Sequence, residues 1–230
     1  MRLDKFISDT TELSRNDAKK AIRAARVWIN DELALRSNQA VLETDVITLD
    51  GKALGLPQAR YFMLNKPKGY VCASQDADHP TVLDLLQEPN KQRLHIAGRL
   101  DIDTTGLVLI TDDGQWSHRV TSPHKECGKQ YRVTIATPLN DADIVQLQNG
   151  VLLNNESKYT KPANIECLTA RSIVMTITEG RYHQVKRMLA AVNNRVLELH
   201  RFNIGGIQLD DKLETGEYRA LEQHEIALFS

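Results

Sequence analysis

The residues best suited to chemistry lie in one short run, Gly98-Arg99-Leu100-Asp101-Ile102-Asp103-Thr104-Thr105-Gly106-Leu107. Arg99 stands two residues ahead of Asp101, so on an extended segment the two side chains share a face. Gly106 lets the backbone turn back into the apolar stretch that follows. The run presents a carboxylate beside a guanidinium at a strand end. The plainest role for either Asp is to cap a turn. As a pair, Asp101 and Asp103 suggest a metal site or a two-carboxylate hydrolase, but no third Asp, Glu or His falls nearby at ligand spacing.

A second run is Glu179-Gly180-Arg181-Tyr182-His183-Gln184-Val185-Lys186-Arg187-Met188. Val185, Met188 and Leu189 mark the buried side of a helix. At about 100° per residue, Lys186 flanks that side and can reach into a cleft, whereas Arg187 is directed toward solvent or a polyanion. His183 is a candidate base, although a single His near a helix start more commonly caps the helix or contacts RNA. In a third run, GKQYRV, Tyr131 alternates with Gln130 and Arg132, and its simplest role is packing in a sheet face.

These runs need elements to hold them. SRNDAKKAIRAAR predicts a helix, with Ser14 as N-cap and Asp17 at N3, a weaker capping box. Ala18, Ala21, Ile22 and Ala25 form its apolar stripe, and Arg15, Lys19, Arg23 and Arg26 fall on a different face. VWIN and VITL read as short strands, and residues 52–60 (KALGLPQAR) as a linker. Beyond it, YFMLN, LHIAGRLD, GLVLIT, KQYRVTI, SIVMTIT and RVLELH read as strands. HPTVLDLLQ reads as a short helix after Pro80. DADIVQLQNG reads as a helix capped by Asp141 and ended by Gly150, and YHQVKRMLAAVNN as a helix closed by Asn193 or Asn194. Strand and helix alternate without a regular βαβ rhythm, which predicts an α+β fold with a mixed, mostly antiparallel sheet flanked by helices.

The chain has 230 residues, enough for one large or two smaller domains. Its 41% hydrophobic and 26% charged residues exclude wholesale disorder. No apolar run reaches membrane-spanning length, and MRLDKF lacks the apolar stretch of a signal peptide. Three scattered cysteines form no CxxC pair, which points to neither a disulfide framework nor a zinc ribbon and fits a reducing, cytoplasmic setting. Lys and Arg total 29 against 30 Asp and Glu, but their placement is uneven. Residues 15–26 and 181–201 each hold five bases and one acid, and residues 208–230 hold six acids and two bases. Net charge therefore does not exclude a polyanionic partner.

RLDKF, SRNDAKKAIRAARVWIN and DVITLDG resemble the S4 RNA-binding module, with Ala25 and Asp31 standing where that family usually has Gly. LNKPKGYV, AGRLDIDTTGLVLITDDGQWSHRVTSP, KQYRV, EGRYHQVKRM and HRFNIGGIQL resemble, in order, the motifs of the small-ribosomal-subunit branch of the pseudouridine synthases. The resemblance implies a small S4-like α/β RNA-binding domain with its linker over residues 1–59 and a catalytic domain over residues 60–230. It implies Asp101 as catalytic carboxylate, Lys186 as its cationic partner, and Tyr131 packed on the uracil as proton donor or acceptor. Arg99 would hold the target out of its stack. Arg181, His183 and Arg187 would join Arg2, Arg15, Lys19, Lys20, Arg23 and Arg26 in contacting RNA. No metal or organic cofactor is implied, because both halves of the substrate stay bound and nothing is oxidised or reduced. The implied substrate is a uridine of small-subunit rRNA (position 516 of the 16S rRNA), offered naked or in a partly assembled subunit, to a monomer. A synthase acting on large-subunit rRNA and a non-catalytic S4-type assembly factor are the competing readings.

Overall fold

The computed structural model describes residues 1–122 and 127–229, so Pro123 of the TSP motif lies outside the described residues. The chain divides into two compact units, Met1–Ala59 and Arg60–Ser230.

The first unit opens with α1 (Leu3–Thr10), which the sequence pattern did not predict. Its apolar positions Leu3, Phe6 and Ile7 are buried against α2 (Arg15–Arg23), which contributes Ala18, Ala21 and Ile22. Ser14 caps α2 as expected: its Oγ accepts from the Asp17 N–H at 3.1 Å. The helix ends earlier than the pattern suggests, because Ala25 takes a left-handed φ of 59°. Arg26 therefore lies beyond the helix and does not share its basic face.

A four-stranded antiparallel sheet follows, β1 (Val27–Ile29), β2 (Glu32–Leu33), β3 (Ile47–Leu49) and β4 (Lys52–Leu54), in the order β2-β1-β3-β4. Two-residue hairpins with positive φ at both central residues, Asn30-Asp31 and Asp50-Gly51, join its outer pairs. That geometry matches the right-handed twist of the strands it joins. Asp-Gly is a strong hairpin signal, and here it places Lys52–Leu54 in the sheet, so the expected linker is shorter than 52–60.

The second unit is built on a nine-stranded sheet. Its strands are β5 (Tyr61–Lys66), β6 (His95–Ala97), β7 (Thr105–Thr111), β8 (Lys129–Ile135), β9 (Asn164–Thr169), β10 (Ser172–Ile177), β11 (Val196–Ile204), β12 (Ile207–Gln208) and β13 (Tyr218–Ala220). The main path runs β13-β5-β7-β11-β8-β10-β9, with β6 on β7 and β12 on β11. Among the described strands of this sheet, only β7 and β11 pair in parallel; the other pairings are antiparallel.

The central strand β7 is buried on both faces, as its unbroken apolar run requires. Val108 and Ile110 enter one core with Phe62, Leu64, Val133, Met175 and Met188. Leu107 and Leu109 enter another with Met63, Trp116, Ile204 and Phe229. Helices α3 (Gly114–Thr121), α4 (Asp141–Asn149), α5 (Gln184–Ala191) and α6 (Gln223–Ala227) complete the unit. Asn140, not Asp141, caps α4, forming a capping box with Asp143. The segment after Pro80 is a single 3-10 turn, Val82–Leu85, closed by a Thr81–Asp84 box. No helix among the described residues is long and apolar enough to cross a membrane.

Candidate active site

Asp101 does not sit on a strand. β6 ends at Ala97, Gly98 turns the chain at φ 94°, and residues 98–104 form a loop ahead of β7. The same-face relation expected of Arg99 and Asp101 therefore does not arise from strand alternation. The loop is fixed by its backbone instead. Arg201 of β11, 1% exposed, donates from Nη2 to the Gly98 carbonyl (2.5 Å), from Nη1 to that of Arg99 (3.4 Å) and from Nε to that of Leu107 (2.9 Å). Lys66, at the end of β5 and fully buried, donates to the carbonyls of Thr104 (2.8 Å) and Ile102 (3.4 Å). The Gly69 N–H also donates to Ile102, and the Cys72 Sγ accepts from the Leu100 N–H. Burial pushes the Lys66 ammonium below its ordinary range, opposed by the nearby acids.

This frame leaves the Asp101 carboxylate partly exposed and facing the first turn of α5. Lys186 Nζ donates to Asp101 Oδ2 at 3.0 Å and to Asp103 Oδ1 at 2.6 Å. Burial favours the neutral forms of Asp103 and Lys186, but their mutual hydrogen bonding and charge outweigh it. The Asp103 carboxyl is lowered and the Lys186 ammonium raised. His183 Nε2 stands 3.4 Å from Asp101 Oδ1, and its ring stacks on Tyr182. Tyr131 is buried on β8, its ring centroid 6.0 Å from the Arg201 guanidinium carbon. Arg99 is exposed, and its side chain has no hydrogen bond or ion pair among the described residues.

The structure thus brings together Asp101, Asp103, His183 and Lys186, and sets Tyr131 beside Arg201, which holds the backbone of the same loop. Asp103, expected as a turn cap, instead shares the ammonium. Arg181 and Arg187 are tied inward. Both are ion-paired to Glu156, and they also hold the carbonyls of Lys158, Tyr159 and Asn154, so Arg187 does not point freely to solvent. The basic stretch 181–201 is largely consumed inside the fold. Arg201 and Lys66 were not singled out by sequence reasoning. The one available signal for Arg201 was its place on the buried parity of its strand, two residues after Leu199.

In the first unit, Arg2 and Arg15 pair with the buried Asp4. Arg26 pairs with Asp50 and Lys20 with Asp17. Lys19 and Arg23 have no ion pair among the described residues. No group of three or more His, Cys, Asp or Glu able to hold a metal ion occurs among those residues.

A carboxylate–ammonium centre on a clamped loop, carried in one chain with a separate helical unit that presents Lys19 and Arg23, fits an RNA-directed enzyme with its own RNA-binding domain. The chain belongs to the RNA pseudouridylate synthase family, which matches residues 60–191, and residues 1–47 match the S4 domain. The Ribosomal small subunit pseudouridine synthase A of Salmonella typhimurium is 54% identical over 228 residues, 99% of each chain. The protein of the same name from Pasteurella multocida is 49% identical over 231 residues, the full length of both. A crystal structure described as a pseudouridylate synthase aligns over 100% of both chains at 48% identity, with a TM-score of 0.73.

Proposed function

We propose that the chain converts one uridine of small-subunit rRNA to pseudouridine, at position 516 of the 16S rRNA, with Asp101 as the catalytic carboxylate. The observation that carries this reading is the 3.0 Å pair between Lys186 and Asp101, on a loop anchored by two buried cations. The full-length similarity to relatives named for the small subunit supports the substrate.

The reaction breaks the N1–C1′ bond and forms a C5–C1′ bond; N1 gains a proton and C5 loses one. Product and substrate are isomers, so no electron leaves or enters. Asp101 supplies the ionised oxygen that engages the ribose or the base, and Lys186 keeps a positive charge beside it throughout. Tyr131 packs on the detached uracil and serves the proton transfer. Arg99, exposed and unpaired among the described residues, fills the space left when the uridine flips out of its stack. That extrusion costs a few kcal/mol.

Asp101→Asn keeps the shape of the side chain and removes its charge. With naked and partly assembled small-subunit RNA, wild type is expected to form one pseudouridine and Asp101→Asn none, while both bind RNA. Product from Asp101→Asn would overturn the assignment. Product only on large-subunit RNA would move the substrate.

A further inference from the structure

Tyr182 is 76% exposed, yet its backbone is held from both sides in the chain. Its carbonyl accepts from Arg187 at 3.2 Å, and the preceding Arg181 is bound to Glu156, Glu179 and two carbonyls. Its ring lies flat on that of His183, with centroids 3.7 Å apart and planes 20° from parallel. His183 takes φ 50° and forms no side-chain cap with α5, so its ring is free to stack there while Nε2 faces Asp101 at 3.4 Å. A left-handed backbone is uncommon for a residue other than glycine and marks a position worth explaining. An aromatic stack therefore leads from solvent, at the outer face of Tyr182, to His183 beside the carboxylate.

We infer that the Tyr182–His183 stack is a platform for an unpaired nucleobase next to the target uridine. The inference rests on the function proposed above. A ring on a pinned backbone loses little freedom when a base is laid on it. Every base offers a π-face, so such contacts hold unpaired RNA without demanding one sequence. The ligand is thus a purine or pyrimidine of the same RNA strand. It is distinct from the target, which belongs at Asp101 and Tyr131. The platform keeps the flanking strand in place while the target turns.

The test uses the full chain and a small-subunit rRNA fragment that carries the target uridine. 2-Aminopurine is placed singly at each neighbouring position. Wild type is expected to quench its fluorescence at one of them. Tyr182→Ala and Tyr182→Leu should abolish that quenching and raise Kd about ten-fold, whereas Tyr182→Phe should match wild type. The side chain is exposed, so the thermal transition should not move. Unchanged quenching in Tyr182→Ala, or a Kd within two-fold of wild type on RNA that wild type converts, overturns the platform alone. Failure of wild type to bind and convert the fragment overturns the proposed function, and the platform with it.

Discussion

Lys186 is the residue on which the centre turns. It holds two carboxylates from the same loop within hydrogen-bond distance of one ammonium. Without it, neither carboxylate would keep its hydrogen bond to an ammonium, and Lys66, buried beneath the loop and bound to its carbonyls, would not replace those bonds. Lys186→Ala is expected to lower product formation by at least a hundred-fold, about 2.7 kcal/mol of barrier, and to move the Asp103 titration upward. Carbon-13 NMR of the labelled carboxyls reads the second effect; an unmoved Asp103 would show that the ammonium does not hold it down. Lys186→Arg should retain part of the activity. The sequence made Lys186 legible because the apolar stripe of α5 fixed its face. It did not reveal that Arg187, one residue on, is spent on Glu156, since Glu156 lies 31 positions away in the chain.

Two contacts between elements set the geometry of the second unit, one beside this centre and one at the opposite end of β5 and β7. Gly106 of β7 pairs with Arg201 of β11 at the sheet's parallel step. A Cβ there would lie 2.1 Å from the Arg201 carbonyl oxygen, and the residue's φ is 101°. Glycine is required by close approach within a strand, not by the turn the sequence suggested. Gly106→Ala should cost more than about 2 kcal/mol of stability, from backbone strain and clash together, as measured by urea unfolding.

The second contact joins β5 to α3. Asp113 caps α3 by accepting from the Gln115 and Trp116 N–H groups, and it also accepts from the Tyr61 hydroxyl at 2.9 Å. Burial, then that carboxylate, raises the Tyr61 phenol to about 12 from 10.0. The folded state keeps this proton where the unfolded chain has lost it. The stabilisation is complete below about pH 10 and is lost as pH rises toward 12. Tyr61→Phe should flatten that alkaline decline in unfolding free energy relative to wild type. Equal slopes would remove Tyr61 as its source.

Across the whole molecule, even charge totals conceal where free charge remains. Most candidate RNA-binding cations already have acidic partners: Arg2 and Arg15 on Asp4, Lys20 on Asp17, Arg26 on Asp50, and Arg181 and Arg187 on Glu156. Lys19 and Arg23 on α2 do not, among the described residues. Replacing these two with Gln should weaken RNA binding and reduce the slope of log K against log salt by roughly 1.4, the value for two contacts to a single strand. Filter binding at several salt concentrations checks this, with an unchanged thermal transition as control. Arg15 is left intact, because its partner Asp4 is buried and removing the guanidinium would disturb the first unit's packing.

Local pattern determined much of this protein. The apolar stripes predicted α2 and α5, the unbroken run from Leu107 to Ile110 predicted a strand, and Ser14 marked its own helix start. These features depend on neighbours a few residues apart, where spacing alone fixes which side chains share a face. Asp101 stood out by its company in the chain. What held it there did not, because Arg201 is 100 residues beyond it and Lys66 is 35 before it, and each donates to backbone carbonyls that leave no mark in side-chain identity. Only the assembled sheet, which sets β5, β7 and β11 side by side, could bury two cations against one loop and leave its carboxylate open.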